Sequence, residues 1–276
     1  MSSLREKAEQ FRALHTGKDV LLLPNAWDAA SARIVEEAGF PAVATTSAGI
    51  AFSLGYADGQ KIPRGEMLAV VARMAKAVRI PVTADAEAGY GERPEAAAET
   101  ARQVIEAGGV GMNFEDATGD GSRPLVDLPL HVERIHAIRR VAEETGIPLV
   151  LNARTDVYLL QVGDAATRYD EAVRRLVAFR DAGADCVFVP GLRDAEIIGR
   201  IVRDLSCPVN ILGGPGAPSV PELAKLGVKR ISLGSGPMRS ALGLLRRIGD
   251  ELRTTGTYSA LEGAPSHAHM NKLMSE

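Results

Sequence analysis

Residues 80–91 read Ile80-Pro81-Val82-Thr83-Ala84-Asp85-Ala86-Glu87-Ala88-Gly89-Tyr90-Gly91: an apolar run, two acids, then a glycine-rich turn. The apolar start is typical of a strand that is buried on both faces of a parallel sheet. Asp85 and Glu87 occupy alternate positions, so in an extended chain both carboxylates would point the same way. The glycines break the strand, and Pro94 stands where the first turn of a helix should begin. The segment therefore predicts a strand, turn and helix with two acids at the strand's end.

Similar units recur along the chain. In one form a helix ends in a small-residue turn before a strand, as in Ala38-Gly39-Phe40-Pro41-Ala42-Val43, where glycine suits the left-handed position that closes a helix. In the other form a proline opens the strand, where it removes no ladder hydrogen bond, as in Ile147-Pro148-Leu149. The predicted strands lie at about 20–24, 42–46, 81–86, 109–115, 148–154, 186–190, 208–213 and 230–234. The predicted helices lie at 64–78, 94–107, 129–144, 167–182, 194–205, 220–226 and 237–252.

Strands that alternate with helices imply an α/β protein with a parallel sheet, and eight such units close into a (β/α)₈ TIM barrel. An open doubly wound sheet is the alternative. It is disfavoured because Pro24-Asn25-Ala26-Trp27-Asp28 follows the first strand in place of a glycine-rich phosphate fingerprint. We expect one catalytic barrel domain over residues 1–253 and a C-terminal tail, 254–276, that packs on the barrel or on a partner subunit.

Composition excludes several classes of partner. The 276 residues are 46% hydrophobic and carry a net charge of −3 without a basic cluster, so neither nucleic acid nor an anionic membrane is an expected partner. No apolar run approaches the roughly 20 residues of a membrane-spanning helix. The N-terminal segment 1–7 reads as a charged helix start and not as a signal peptide. Cys186 and Cys207 are expected to be free thiols in a reducing cytoplasm.

Acidic residues concentrate at the predicted strand ends, which a barrel brings together at one face. Asp58 follows the second strand, Asp85 and Glu87 end the third, Glu115 ends the fourth, and Arg154 ends the fifth. Converging carboxylates raise one another's pKa unless a cation neutralises them, and Mg²⁺ prefers oxygen ligands while keeping several waters. An arginine opposite could bind a substrate carboxylate through two hydrogen bonds. The pattern therefore predicts a metal site that faces an arginine.

The chain resembles the isocitrate lyase / phosphoenolpyruvate mutase superfamily over about residues 15–250. The resemblance rests on five motifs: residues 24–32 (PNAWDAASA), 46–49 (TSAG), 85–91 (DAEAGYG), 113–116 (NFED) and 152–156 (NARTD). It implies Mg²⁺, with Mn²⁺ as a possible substitute. Asp85 would hold the ion directly, and three further acids would ligate it mostly through water: Asp58, Glu87 and Glu115. Asp58, Asp85 and Arg154 would be the catalytic residues.

The resemblance also implies a small 2-oxo or 2-hydroxy acid as substrate. Arg154 and the segment Ser47, Ala48 and Gly49 would complete its carboxylate pocket. Two more substrate-binding candidates carry alternatives of equal weight. Trp27 either walls the pocket or packs under the barrel rim, and Asn210 either contacts substrate or hydrogen-bonds within the barrel. The superfamily further implies a homotetramer, a dimer of dimers, whose paired subunits exchange the last barrel helix near residues 237–252.

Two departures from the superfamily pattern shape the functional hypothesis. Glu87 stands where most members carry aspartate, and the gating segment 117–124 (ATGDGSRP) has none of the cysteine, lysine or histidine that lyases and mutases use there. Thr118, in that segment, resembles a threonine of the phosphonopyruvate hydrolases, but a lone threonine in a flexible loop is more often just a loop residue. The chain is thus most similar to oxaloacetate decarboxylase-like members, in which water can reprotonate the enolate.

The hypothesis is a Mg²⁺-dependent carbon–carbon lyase acting on a 2-oxo or 2-hydroxy di- or tricarboxylate. A methylisocitrate- or dimethylmalate-type lyase with another proton donor is one alternative. A 2-oxo acid binding protein with little turnover, for example one that binds 2-oxoglutarate, is the other.

Four other side chains have structural interpretations. Asp28 is expected to cap the first barrel helix, and Asp156 is expected to anchor Arg154 rather than touch substrate. His131 and His136 are expected to face solvent or a neighbour.

Overall fold

The computed structural model describes residues 3–275, so Met1, Ser2 and Glu276 lie outside the described residues. The predicted N-terminal helix begins at Leu4, with Ser3 as its N-cap. The Ser3 side chain accepts from the Glu6 backbone N–H, and the Glu6 side chain accepts from the Ser3 N–H, which forms a capping box. Helices and strands alternate after it as follows. The strands are β1 (Leu21–Leu23), β2 (Asn25–Ala26), β3 (Val43–Thr45), β4 (Val82–Asp85), β5 (Gly111–Glu115), β6 (Val150–Arg154), β7 (Cys186–Phe188), β8 (Val209–Leu212) and β9 (Arg230–Ser232).

Each predicted helix appears within two residues of its predicted ends. The helices are α1 (Leu4–Leu14), α2 (Ala29–Glu37), α3 (Ser47–Ser53), α4 (Arg64–Ala77), α5 (Pro94–Glu106), α6 (Leu128–Thr145), α7 (Arg168–Asp181), α8 (Ala195–Leu205), α9 (Val220–Lys225), α10 (Gly236–Thr254) and α11 (His267–Ser275), with a 3₁₀ turn at Ser259–Leu261. Helix α3 was not predicted from the sequence patterns. Asp28 caps α2 as predicted, because its carboxylate accepts from the Ser31 N–H at 2.7 Å.

All strands pair in parallel, in the order β1-β9-β8-β7-β6-β5-β4-β3-β2. The two ends of this order, β1 and β2, are consecutive pieces of one strand, so the sheet closes on itself. The predicted (β/α)₈ barrel is therefore confirmed. Most of the core lies between the outward faces of the strands and the surrounding helices, where Val43, Met112, Leu151 and Ile211 are fully buried or nearly so.

Helix α1 plugs the bottom of the barrel. Its Phe11 is fully buried with Leu21, Leu23 and Val150. A side chain at Gly111 would collide with this plug, because an added Cβ would lie 2.6 Å from Phe11 Cε1. The glycine thus makes room for the aromatic ring that seals the barrel.

A buried arginine lies above this plug. Arg230 Nη2 reaches across the barrel to donate to Asn113 Oδ1 at 3.1 Å, and its Nη1 lies 3.2 Å from His15 Nε2. Arginine can only donate, so Nε2 accepts and the proton of His15 is on Nδ1, which faces the Phe11 carbonyl at 2.9 Å. Burial, reinforced by Arg230, lowers the pKa of His15 to about 4. This histidine is therefore neutral at physiological pH.

Helix α10 exposes most of its apolar residues. Met238 is its single buried residue, whereas Leu242, Leu244, Leu245 and Leu252 are exposed. In the predicted tail, α11 packs against α2, where His269 Nε2 lies 3.2 Å from Glu37 Oε1, and its Leu273 is buried. Within residues 3–275, no helix is both long and apolar enough to cross a bilayer. The division of the chain at residue 253 stays a prediction.

Candidate active site

The carboxyl ends of the barrel strands bring the predicted acids to one face of the molecule. Asp85 is the last residue of β4, and its side chain is almost enclosed. Its Oδ2 accepts from the Ser47 backbone N–H at 2.9 Å and from the Ser47 hydroxyl at 2.8 Å. Its Oδ1 receives only a long hydrogen bond, 3.4 Å, from Asn113 Nδ2. One carboxylate oxygen is therefore firmly held, and the other retains capacity for a ligand.

Glu87 reaches the site by a different route from the one predicted. The strand ends at Asp85, and Glu87 has a left-handed backbone with φ of 49°, so the extended geometry expected for the two acids is wrong. The turn after β4 needs this conformation to reverse the chain. The Glu87 carboxylate is still buried in the cluster, where it accepts from the Gln60 N–H and from the Tyr90 hydroxyl at 3.2 Å. Burial and the charge of Asp85 raise the pKa of Glu87 to about 7.

Arg154 lies opposite at the end of β6, between two acids. Its Nη1 is 2.7 Å from Glu115 Oε2, while Nε and Nη2 donate to the two oxygens of Asp156 at 2.5 and 2.9 Å. The structure thus agrees with the anchoring role predicted for Asp156. Burial raises the pKa of Glu115 even with Arg154 beside it.

A second ion pair anchors the backbone next to Arg154. Asp116 is fully buried and accepts from the Thr155 hydroxyl at 2.7 Å, from the Asp156 N–H at 2.9 Å and from Arg175 at 3.1 Å. It therefore connects the ends of β5 and β6 to helix α7. Sequence reasoning placed Asp116 at a strand end but missed Arg175, because nothing in a helical pattern marks one arginine as buried.

The segment Ser47–Gly49 forms the first turn of α3 and is buried at the barrel mouth. Thr46 caps this helix by accepting from the Gly49 N–H at 3.3 Å. Gly49 leaves no room for a side chain, because an added Cβ would lie 2.5 Å from Thr46 Cγ2 and 3.1 Å from Trp27 Cβ. Trp27 itself packs against an apolar cluster under the rim that contains Ile50.

The remaining candidates lie at different depths. Asp58 is exposed in the loop that follows α3, and its pKa is raised by partial desolvation and by the charge of Asp85. Asn210 is fully buried inside the barrel and donates to the Ser232 hydroxyl at 3.1 Å, which agrees with the barrel-layer alternative. The prediction for His131 was wrong. It is fully buried and stacks on Phe114 with 4.8 Å between ring centroids, whereas His136 is exposed as expected.

The donor set fits a hard divalent cation. Asp58, Glu87 and Glu115 all have raised pKa values in which burial is the main cause and nearby negative charge contributes. A cation would relieve this repulsion. Within residues 3–275 no three His, Cys, Asp or Glu side chains form a ready-made metal cage, because Glu87 and Glu115 are turned toward hydrogen-bond donors. The arrangement suits an ion that keeps several waters in its shell.

The gating segment 117–124 is held by its own hydrogen bonds. The Thr118 hydroxyl donates to the Arg123 carbonyl and accepts from the Asp120 N–H at 3.0 Å, and Ala117 pairs with Leu125. Thr118 thus acts as a loop residue. Neither cysteine lies at the carboxyl end of a strand: Cys186 is fully buried at the start of β7, and Cys207 precedes the start of β8.

Comparison with known proteins identifies the family. A family model described as phosphoenolpyruvate phosphomutase matches residues 11–253. The chain belongs to the phosphoenolpyruvate mutase and isocitrate lyase superfamily. The crystal structure of a candidate lyase or mutase from Burkholderia cenocepacia J2315 has a TM-score of 0.93 and 42% identity, and the match covers 99% of this chain and 97% of that one.

Two proteins that are similar to this chain have names that state an activity. The structure of 2,3-dimethylmalate lyase has a TM-score of 0.85 and 29% identity, with 97% of this chain and 94% of that chain covered. An oxaloacetate decarboxylase of Bradyrhizobium diazoefficiens is 26% identical, with 99% of this chain and 94% of the relative covered. The expectation that the protein is an enzyme of this lyase and mutase superfamily is confirmed.

Proposed function

We propose that this superfamily member is a divalent-cation-dependent carbon–carbon lyase that acts on a 2-oxo or 2-hydroxy dicarboxylate, most simply as an oxaloacetate decarboxylase. One observation carries the choice within the superfamily: the gating segment contains no cysteine, lysine or histidine, and its Thr118 hydroxyl is already hydrogen-bonded within the loop. The near full-length similarity to an oxaloacetate decarboxylase supports the same choice.

In this proposal, Asp85 would hold Mg²⁺ directly, and Asp58, Glu87 and Glu115 would ligate it mostly through water. Mn²⁺ is a possible substitute. The ion supplies Lewis-acid stabilisation of the negative charge that develops on the substrate oxygen. Ser47 orients the Asp85 carboxylate through two donors. The backbone around Ala48 and Gly49 closes the oxyanion side of the pocket.

Arg154 binds and orients the substrate carboxylate. Its guanidinium is pre-oriented by Asp156, so little side-chain entropy is lost when substrate binds. When the bond to the departing carboxylate breaks, its electron pair moves into the substrate to give an enolate. Decarboxylation then needs only water as the proton source for the enolate carbon, which suits a gate without an acid.

The proposal also includes the assembly and the location of the protein. The exposed leucines of α10 support a homo-oligomer, a dimer of dimers in which paired subunits exchange this helix. The free thiols of Cys186 and Cys207 support a cytoplasmic location.

The test is loss of oxaloacetate measured with Mg²⁺ and with EDTA. We expect turnover that requires the cation and that Asp85→Ala abolishes. Binding of 2-oxo acids without cation-dependent turnover would instead indicate a binding protein. Pyruvate release from methylisocitrate or 2,3-dimethylmalate in a parallel screen, in the absence of oxaloacetate turnover, would assign the other lyase class.

A further inference from the structure

The turn that carries Glu87 has an unusual backbone. Four of its residues have positive φ: Glu87 at 49°, Gly89 at 81°, Tyr90 at 57° and Gly91 at 159°. The left-handed region costs free energy for residues other than glycine, such as Glu87 and Tyr90. Such a turn persists only where its surroundings hold it in place.

The carbonyl groups of this turn show what holds it. Glu87 O accepts from the Glu115 N–H at 3.0 Å, and Gly89 O accepts from the Thr100 hydroxyl at 2.8 Å. The Ala88 and Gly91 carbonyls both accept from a single nitrogen, Nη2 of Arg134, with the second contact at 3.0 Å. The Arg134 side chain therefore bridges the backbone of the turn from Ala88 to Gly91.

Arg134 is an unusual residue for this task. It projects from α6, is 1% exposed, and its guanidinium lies 4.7 Å from the centroid of the Phe114 ring. Among the described residues no carboxylate contacts it, and its Nε lacks a partner. A buried guanidinium without a paired acid is costly, so a position that retains one is a functional candidate. Here two backbone carbonyl dipoles, the aromatic ring and, at longer range, the charges of Glu92 and Asp116 compensate the charge.

The same helix follows the gating segment. Helix α6 begins at Leu128, four residues after that segment ends, and a 90 Å³ cavity lined by Arg134, Ala88 and Thr118 lies between the turn and the gate. Arg134 therefore connects the acid-bearing turn to the helix that follows the gating segment.

We propose that Arg134 is a positioning residue of the cation site: it holds the turn after β4 in the shape that directs the Glu87 carboxylate toward Asp85. The inference rests on the proposed function, because it assumes that these acids hold a divalent cation. Residues behind metal ligands commonly change metal affinity by about 10–100-fold when they are replaced.

The test is binding of Mn²⁺ alone to the full-length protein, measured from the electron paramagnetic resonance signal of free Mn²⁺. We expect Arg134→Met to bind Mn²⁺ about tenfold or more weakly than wild type. Arg134→Lys, which keeps a cationic donor, should lie between the two. Arg139→Met is the matched control: Arg139 lies on the same helix but pairs with Asp185, just before β7, and donates to the Leu149 carbonyl, just before β6.

The outcomes separate the two proposals. The positioning role is supported if Arg134→Met binds Mn²⁺ more weakly than wild type while Arg139→Met keeps wild-type affinity. The comparison requires that the two variants lose a similar amount of melting temperature. Wild-type affinity in Arg134→Met overturns the positioning role. If that variant does not fold, Arg134→Gln replaces it, and wild-type affinity in that variant is equally decisive. Equal binding by wild type and Asp85→Asn would instead refute the cation site and hence the proposed function.

Discussion

Replacing Asp156 by asparagine tests how the site's arginine is held. Asp156 accepts two hydrogen bonds from Arg154, at 2.5 and 2.9 Å, and Glu115 accepts a third contact at 2.7 Å. The Asp156 side chain is only 3% exposed. Asparagine has the same size but only one acceptor oxygen and no charge. One donor of Arg154 would therefore face an amide NH₂ group and lose its hydrogen bond.

The expected size of the effect follows from these contacts. A hydrogen bond between charged groups contributes about 1.5–3 kcal/mol, and the lower end applies because Glu115 still compensates the arginine. At about 2–4 °C per kcal/mol for a domain near this size, the melting temperature should fall by about 3–8 °C. If Arg154 binds the substrate carboxylate, the lost orientation should lower kcat/KM by about 10–100-fold, mainly through KM.

Steady-state kinetics with oxaloacetate and thermal unfolding of the same preparation measure both effects. Asp181→Asn is the control, because Asp181 makes an exposed pair with Arg180 and should change neither quantity appreciably. An Asp156→Asn enzyme with a lowered melting temperature but kcat/KM within twofold of wild type would refute the reasoning. Asp156 would then stabilise the fold without orienting Arg154 for substrate.

Four further outcomes are expected. Asp85→Asn should lower the Mg²⁺ affinity measured by calorimetry more than replacement of an outer-shell residue does, which typically costs about 10–100-fold. An unchanged affinity would exclude Asp85 as a ligand. Gly111→Ala should lower the free energy of unfolding by about 1–3 kcal/mol in urea, since its Cβ would meet Phe11; an unshifted midpoint would contradict the plug. Burial and then Arg230 lower the pKa of His15 from 6.5 to about 4, while Asp185 opposes the shift. Between pH 4 and pH 6.5 the unfolded chain therefore binds more protons than the folded chain. Stability should therefore fall as the pH drops from 6.5 to 4, at up to about 1.4 kcal/mol per pH unit, and His15→Gln should lack this part of the slope; identical pH profiles would argue against it. Leu245→Glu on α10 should shift sedimentation toward a smaller species, and the proposed helix exchange fails if the species is unchanged.

Much of the architecture was predictable because its signals are local. The strands were located by apolar runs opened by proline or small-residue turns, and the structure shifts their ends by no more than two residues. The Asp28 cap follows from residue type and position alone. Asp85 was also predictable as a candidate site residue, since parallel strands that close into a barrel bring their carboxyl ends to one face whatever their separation in sequence.

Other features depend on neighbours that are distant in sequence. Glu87 takes a left-handed conformation because the turn is held by Arg134, a residue 47 positions further along the chain. His131 is buried because α6 presses it onto Phe114. Neither the helical period nor residue type separates a buried arginine or histidine from an exposed one.

The sequence by itself therefore determined the barrel, the face that carries the candidate site, and the acids that converge on that face. These depend on the short-range periods of strand and helix and on the polarity of parallel strands. Only the tertiary structure decided which carboxylate oxygens are already occupied, how Arg154 is anchored, and which buried arginines hold the site in shape. Those contacts join different strands and helices across the barrel. Which residues become neighbours depends on how the barrel closes and packs, and local sequence patterns do not contain that information.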